Sequence, residues 1–131
     1  MGYWKKFNPT INMKTNEIAE RLVILCRAAQ WEEAQKELFA NDAVSIEEQP
    51  SPSFSKETKG LSAIIEKGRI FSGMIETMHD LTVSAPLVAS NSFACTMSID
   101  VTMKGQARMK MSELCVYLVK DGKIVSEQFH S

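Results

Sequence analysis

Three glutamates carry the chemistry this sequence suggests. Glu47 ends an early alternating run, and Glu113 and Glu127 fall in the strand-like stretch from Asn91 to Ser131. The last two share their spacing with Cys115, Tyr117 and Phe129, so one sheet face would carry carboxylates among apolar and aromatic groups. A carboxylate on such a face must find a partner or keep its proton, because burying an unpaired charge is costly. Two neighbouring buried carboxylates drive their proton affinities apart, which gives one acid and one base. Such a pair can take a proton beside a carbonyl and return it elsewhere, the chemistry of isomerisation, cyclisation or dehydration. Tyr117 adds a phenol that needs a partner when buried, and His79 is a further titratable candidate on an alternating apolar run.

The grouping depends on the turn at Val119-Lys120-Asp121-Gly122-Lys123. A three-residue loop with Gly122 in the left-handed region pairs Val119 with Lys123, Tyr117 with Val125, Cys115 with Glu127 and Glu113 with Phe129. Glu113, Cys115, Tyr117, Val125, Glu127 and Phe129 then share a face. A two-residue turn would group Tyr117 with Ile124, Ser126, Gln128 and His130 instead, since a one-residue slip exchanges the two faces. The three-residue loop is the expectation.

These side chains need elements to hold them. Helical spacing predicts a first helix from about Thr15 to Ala29, N-capped by Thr15, and a second from Trp31 to Phe39. Ala43 to Glu48 reads as a strand with Val44 and Ile46 on one face and Ser45 and Glu47 on the other. Residues 49–58, rich in proline and serine, predict a loop over the site. A third helix is expected over Gly60 to Glu76, striped by Leu61, Ile64, Ile65, Gly68, Phe71 and Ile75. Lys67 lies at the stripe's edge as a solvated residue, and Gly68 would let the helix approach a sheet closely. Beyond Thr77 the period is two: His79, Leu81 and Val83, then Phe93, Cys95, Met97, Ile99, Val101 and Met103, then Met109, Met111 and Glu113. Helices followed by strands describe an α+β domain, a curved and mainly antiparallel sheet wrapped around three helices.

The chain has 131 residues, 44% hydrophobic and 24% charged, enough for one compact domain from residue 15 to 131 behind an N-terminal arm at residues 1–14. A net charge of -1 gives no basic footprint for nucleic acid, and no apolar run is long enough for a membrane span or a secretory signal. Cys26, Cys95 and Cys115 lack CxxC spacing and read as reduced, buried thiols, which implies the cytoplasm. Histidines and carboxylates lack metal-ligand spacing, and phosphate-binding glycine loops and a nucleophile elbow are absent, so no metal or other cofactor is expected.

The element order resembles the nuclear transport factor 2-like superfamily, in particular its SnoaL-like polyketide-cyclase and ketosteroid-isomerase branches. Two stretches carry the likeness: Phe39-Ala-Asn-Asp-Ala-Val-Ser-Ile-Glu-Glu-Gln-Pro50 for the first strand, and Lys120-Asp-Gly-Lys-Ile-Val-Ser-Glu-Gln-Phe129 for the final hairpin. The likeness covers residues 15 to 131 by element order. It implies a cone-shaped half-barrel with a deep apolar pocket and homodimers formed through the outer face of the sheet. By position it places the isomerase branch's general base on or beside Glu47, its oxyanion-binding acid near Glu113 or Cys115, and pocket-lining positions on Met97, Ile99, Val101, Met103, Glu127 and Phe129. Met111, Cys115 and Phe71 complete the expected wall. The branch's tyrosine on the first helix has no counterpart here, which argues against ketosteroid isomerisation itself.

The reading that follows is a site of Glu47, Glu127, Glu113, Tyr117 and His79 acting on a small apolar carbonyl compound. The competing reading is a non-catalytic ligand-binding or dimerisation module. In that reading Glu113 and Glu127 pair with Lys110 or Arg108 on the outer face, and His79 is hydrogen-bonded in the core. Epoxide hydrolysis would need a basic partner beside the carboxylates, and the sequence places none.

Overall fold

In the computed structural model, which describes residues 13–131, helix α1 (Thr15–Arg27) buries Ile18, Ala19, Leu22, Val23, Leu25 and Cys26 on one side. That is the side set by the apolar spacing. The cap position falls on Lys14 rather than Thr15, because Glu17 Oε1 reaches back 2.8 Å to accept from the Lys14 N–H. Helix α2 (Trp31–Leu38) buries Ala34 and Leu38 and runs directly into strand β1 (Phe39–Ile46). The expected arm lies outside the described residues, save Met13 and Lys14.

The proline- and serine-rich stretch is a loop, but it ends in a short strand that the sequence did not announce, β2 (Glu57–Lys59), antiparallel to β1. Gly60 then adopts φ 93°, where a side chain would strain the backbone, and starts α3 (Leu61–Met74). Strands β3 (Ile75–Val83), β4 (Leu87–Ala89), β5 (Ser92–Met103), β6 (Met109–Lys120) and β7 (Lys123–His130) complete the chain. The sheet order is β2-β1-β7-β6-β5-β3, with β4 on β5. Every pairing is antiparallel except β1 on β7. The sheet is curved and unclosed around three helices, the α+β cone that the element order predicted.

The register shifts at several places along the sheet, and two of these bulges decide which of the candidate side chains face inward. At the last hairpin, Asp121 and Gly122 both have positive φ, 52° and 75°, and form a two-residue turn in which Lys120 pairs with Lys123 and Val119 with Ile124. The expected three-residue loop is therefore wrong. An extra residue, Val125, then shifts the register, so Tyr117 pairs with Glu127 and Cys115 with Phe129. The bulge restores the parity that the shorter turn removed. Glu127 and Phe129 still share the inner face with Cys115 and Tyr117, while Ile124 takes the place expected for Val125.

In β3 the register slips between Met78↔Val101 and Asp80↔Asp100, leaving His79 as the extra residue. Strict alternation put His79 with Leu81 and Val83, but the bulge turns it to the other face. There it is exposed, and its Nε2 lies 2.8 Å from Thr102 Oγ1. Neighbouring Asp100 accepts both guanidinium bonds of Arg108 at 2.9 and 2.8 Å.

The main core joins α1, α2, Ile64 of α3 and the inner face of the sheet through Phe93, Cys95, Cys115, Tyr117 and Ile124. A second cluster gathers Ile99, Val101 and Met103 against Phe71, Met74, Ile75 and Met78. Gly68 does not serve approach to the sheet: the nearest atoms to a Cβ there belong to Gln35 of α2, at 3.9 Å.

Candidate functional site

A cavity of about 820 Å³ lies among the helices and the inner face of the sheet. Strand alternation supplies one wall: Met97 and Ile99 of β5, Met111, Glu113 and Tyr117 of β6, and Glu127 and Phe129 of β7. Helix α3 supplies Ile64, Ile65, Lys67, Gly68 and Phe71 from one face, the i, i+3, i+4, i+7 set. Trp31 of α2 and Phe54 of the proline-rich loop add aromatic surface. Phe54 is held by a tight loop in which its N–H reaches Ser51 Oγ at 3.1 Å and its carbonyl accepts from Ser51 N–H at 2.8 Å.

One polar chain crosses this apolar wall. Lys67 Nζ donates to Glu47 Oε2 at 3.0 Å and to Ser45 Oγ at 2.7 Å. Ser45, fully buried, stands beside Glu127 across the parallel β1–β7 ladder, where its hydroxyl favours the charged form of that carboxyl. Lys67 has three N–H donors, so this arrangement leaves it one. The ammonium also sits 5.6 Å from the centre of the Phe129 ring. Its side chain is only 14% exposed, which for a lysine requires the partners it has. The solvated lysine expected from the sequence is therefore the central cation of the site.

Burial pushes the Glu127 carboxyl up from its ordinary 4.5 to about 7, against the Ser45 hydrogen bond and the Lys67 charge, with Glu47 and Glu113 adding to the rise. Burial, followed by the Glu47 charge, also raises Glu113, while Lys67 opposes it. Tyr117 is buried and stacked on Phe93 with ring centres 4.8 Å apart. Burial and then the Glu127 charge hold its phenol well above its usual range, so it stays protonated. Glu32 and Arg69 tie α2 to α3 at the rim through bonds of 2.8 and 3.0 Å.

Of the residues expected to act, the structure brings Glu47, Glu113, Glu127 and Tyr117 to one cavity, and Met97, Ile99, Met111, Phe129 and Phe71 line it with them. It does not bring His79, which the β3 bulge puts outside. Val101 and Met103 face inward but are spent in the second core cluster, and Cys115 is fully buried in the main core. There its hydrogen bond with Cys95, followed by burial, keeps the thiol protonated. Lys67 and Ser45 were missed. Both had a signal: Lys67 stands three residues after Ile64 and four before Phe71, and Ser45 is two residues from Glu47 on a strand. Among the described residues no group of histidine, cysteine and carboxylate side chains could hold a metal ion. No helix among them is long and apolar enough to cross a membrane.

A helix-filled cone with a polar chain inside its cavity defines the nuclear transport factor 2-like class of fold. Within it the chain belongs to the SnoaL-like domain family, whose pattern matches residues 13–131. A candidate SnoaL-like polyketide cyclase from Mesorhizobium loti is 30% identical, covers 91% of this chain and 100% of its own, and superposes with a TM-score of 0.84. A nuclear transport factor 2-like protein from Burkholderia thailandensis is 13% identical over 90% of both chains, with a TM-score of 0.76. A second candidate SnoaL-like cyclase, from Jannaschia, is 13% identical over 92% of this chain and 87% of its own, with a TM-score of 0.72. These last two establish the fold alone. No curated protein sequence matches.

Proposed function

We propose that the protein is an enzyme that moves a proton on carbon beside the carbonyl of a small, largely apolar compound, by acid/base chemistry of its own side chains. The observation that carries this reading is the linked set Glu47, Lys67, Ser45 and Glu127 in a cavity whose wall also presents Trp31, Phe54, Phe71, Met97, Met111 and Phe129, with Glu113 beside them. A carboxyl poised at about 7 is divided between acid and base at neutral pH, the optimum for proton transfer. Its carboxylate form would accept the α-proton as the C–H electrons move into an enolate. The free N–H of Lys67 would stabilise the enolate oxygen, with Glu47 holding the ammonium in place. Protonated Glu127 would then return the proton to the same or a conjugated carbon, giving exchange or isomerisation. Attack of the enolate on a second carbonyl would give cyclisation. The Mesorhizobium relative is named a candidate polyketide cyclase, which falls in this class of reaction, although its name also carries a carbohydrate phosphatase, which does not.

Proton exchange into a rigid ketone such as 2-decalone, followed by NMR in D2O, tests the reading without knowledge of the natural substrate. The wild type should accelerate exchange, and Glu127→Gln should lower the rate by about 10²- to 10⁴-fold, the usual contribution of a general acid/base. Exchange that is unchanged in Glu127→Gln would sink the scheme and leave the non-catalytic binding module.

The outer sheet face supports association of two copies. Leu114 and Leu118 are exposed there, 43% and 48%, and Leu87, Ala94 and Val116 lie in one cross-strand row beside them. An apolar strip of this kind on a sheet is a usual site of subunit contact.

A further inference from the structure

Charge does not balance inside the cavity. Five carboxylates line it, Glu32, Glu33, Glu47, Glu113 and Glu127, against the cations Lys67 and Arg69. Arg69 is taken by Glu32 and Lys67 by Glu47, while Glu33 is exposed and solvated at the rim. Glu127 has the Ser45 hydroxyl. Glu113 has no such partner: among the described residues it makes no hydrogen bond and no ion pair, although it is half-buried. Met97 stands opposite it on β5 and offers no donor.

An apolar ligand that filled this space would strip the water from Glu113 and leave an acceptor unmatched, a penalty that tight binding has to avoid. A ligand with a cationic N–H would meet it. Phe71 lines the same cavity, and an aromatic ring favours a cation that has lost part of its water. Lys67 opposes this, but its charge is already offset by Glu47 at 3.0 Å.

We propose that the ligand of this cavity carries a protonated amine seated on Glu113, so that the substrate is an amino-substituted carbonyl compound with the carbonyl toward Lys67 and the ammonium toward β6. The proposal rests on the proton-transfer reading only for the carbonyl end; the amine preference belongs to the cavity itself.

Three probes of one shape and different charge test it by calorimetric titration at neutral pH: 1-aminoadamantane, 1-adamantanol and adamantane-1-carboxylate. The amine should bind the wild type about tenfold or more tightly than the alcohol, the factor expected of one charge-assisted hydrogen bond. The carboxylate should bind weakest. Glu113→Gln should bring amine and alcohol to similar affinity. Should that variant fail to fold, Glu113→Asp provides the second arm, since drawing the carboxylate back by one methylene should weaken amine binding and leave the alcohol unchanged. Equal or tighter binding of the alcohol, preference for the carboxylate, failure of the amine to bind at millimolar concentration, or an amine preference that survives Glu113→Gln would each overturn the proposal. Its fate separates from that of the proton-transfer reading. Amine preference without proton exchange refutes only the chemistry, and exchange of 2-decalone without amine preference refutes only the ligand class.

Discussion

Glu127→Gln should make the protein more stable at alkaline pH and leave it little changed in acid. The Glu127 carboxyl is 5% exposed, and burial raises its proton affinity from the ordinary 4.5 to about 7. Between those two pH values the folded chain holds a proton that the unfolded chain has released. Stability therefore falls as pH rises through the window and levels off above 7. At 1.36 kcal/mol per pH unit, the interval corresponds to about 3 kcal/mol. Glutamine removes this dependence while keeping the shape and a hydrogen-bonding group beside Ser45. Glu113, raised in the same direction, is present in both proteins, so only its coupling to the Glu127 charge enters their difference. Urea denaturation of both proteins from pH 4.5 to 8.5 gives the comparison. The variant should gain about 3 kcal/mol relative to wild type across the window, whatever constant offset the amide introduces. A difference that is flat with pH, or that favours glutamate at high pH, would refute the argument that burial governs this group.

Lys67→Met leaves Glu47 and Ser45 without their donor and should cost about 3 kcal/mol of stability at neutral pH, because the abandoned carboxylate is only 27% exposed; thermal or urea unfolding reads it. The same change removes a charge that lowers both Glu113 and Glu127, so their titrations, followed by carboxyl NMR, should move to higher pH. Gly122→Ala, at φ 75° in the two-residue turn, should cost about 1 kcal/mol in urea denaturation. Light scattering should read twice the chain mass for the wild type, and the double change Leu114→Lys with Leu118→Lys should return it to one. All three thiols are buried and hydrogen-bonded or apolar in setting, so a thiol-specific reagent should label them only as fast as the protein unfolds.

The fold was legible because periodicity changes sharply along the chain. Ile18, Leu22 and Cys26 repeat as a helix, and the residues from Phe93 to Met103 alternate as a strand, so element type followed from spacing alone. What spacing cannot show is a bulge. His79 looked inward because alternation was assumed to continue through β3, and a single unpaired residue reversed it. In the last hairpin two departures from simple alternation offset each other: the turn is one residue shorter than the three-residue loop and Val125 bulges, so Glu127 still faces inward. Lys67 departs from its expected place for a different reason. A lysine on the border of an apolar stripe is usually solvated, and only the carboxylate delivered by β1 from far along the chain makes burial tolerable. Val101 and Met103 show the limit of facing inward as a criterion, since a cone has a packed end as well as an open one.

The Val125 bulge also sets depth. A three-residue loop without a bulge and a two-residue turn with one both leave Glu127 facing inward, but they place it against different rungs of β6: Cys115 in the first case, Tyr117 in the second. That is a slide of two residues, about 7 Å along the strand. Paired changes in turn length and bulging therefore move the acid up or down the axis of the cone without turning it out of the cavity. A fold with this freedom can be refitted to ligands of different length by altering a surface turn and the bulge beside it, with no change in the residues that touch them.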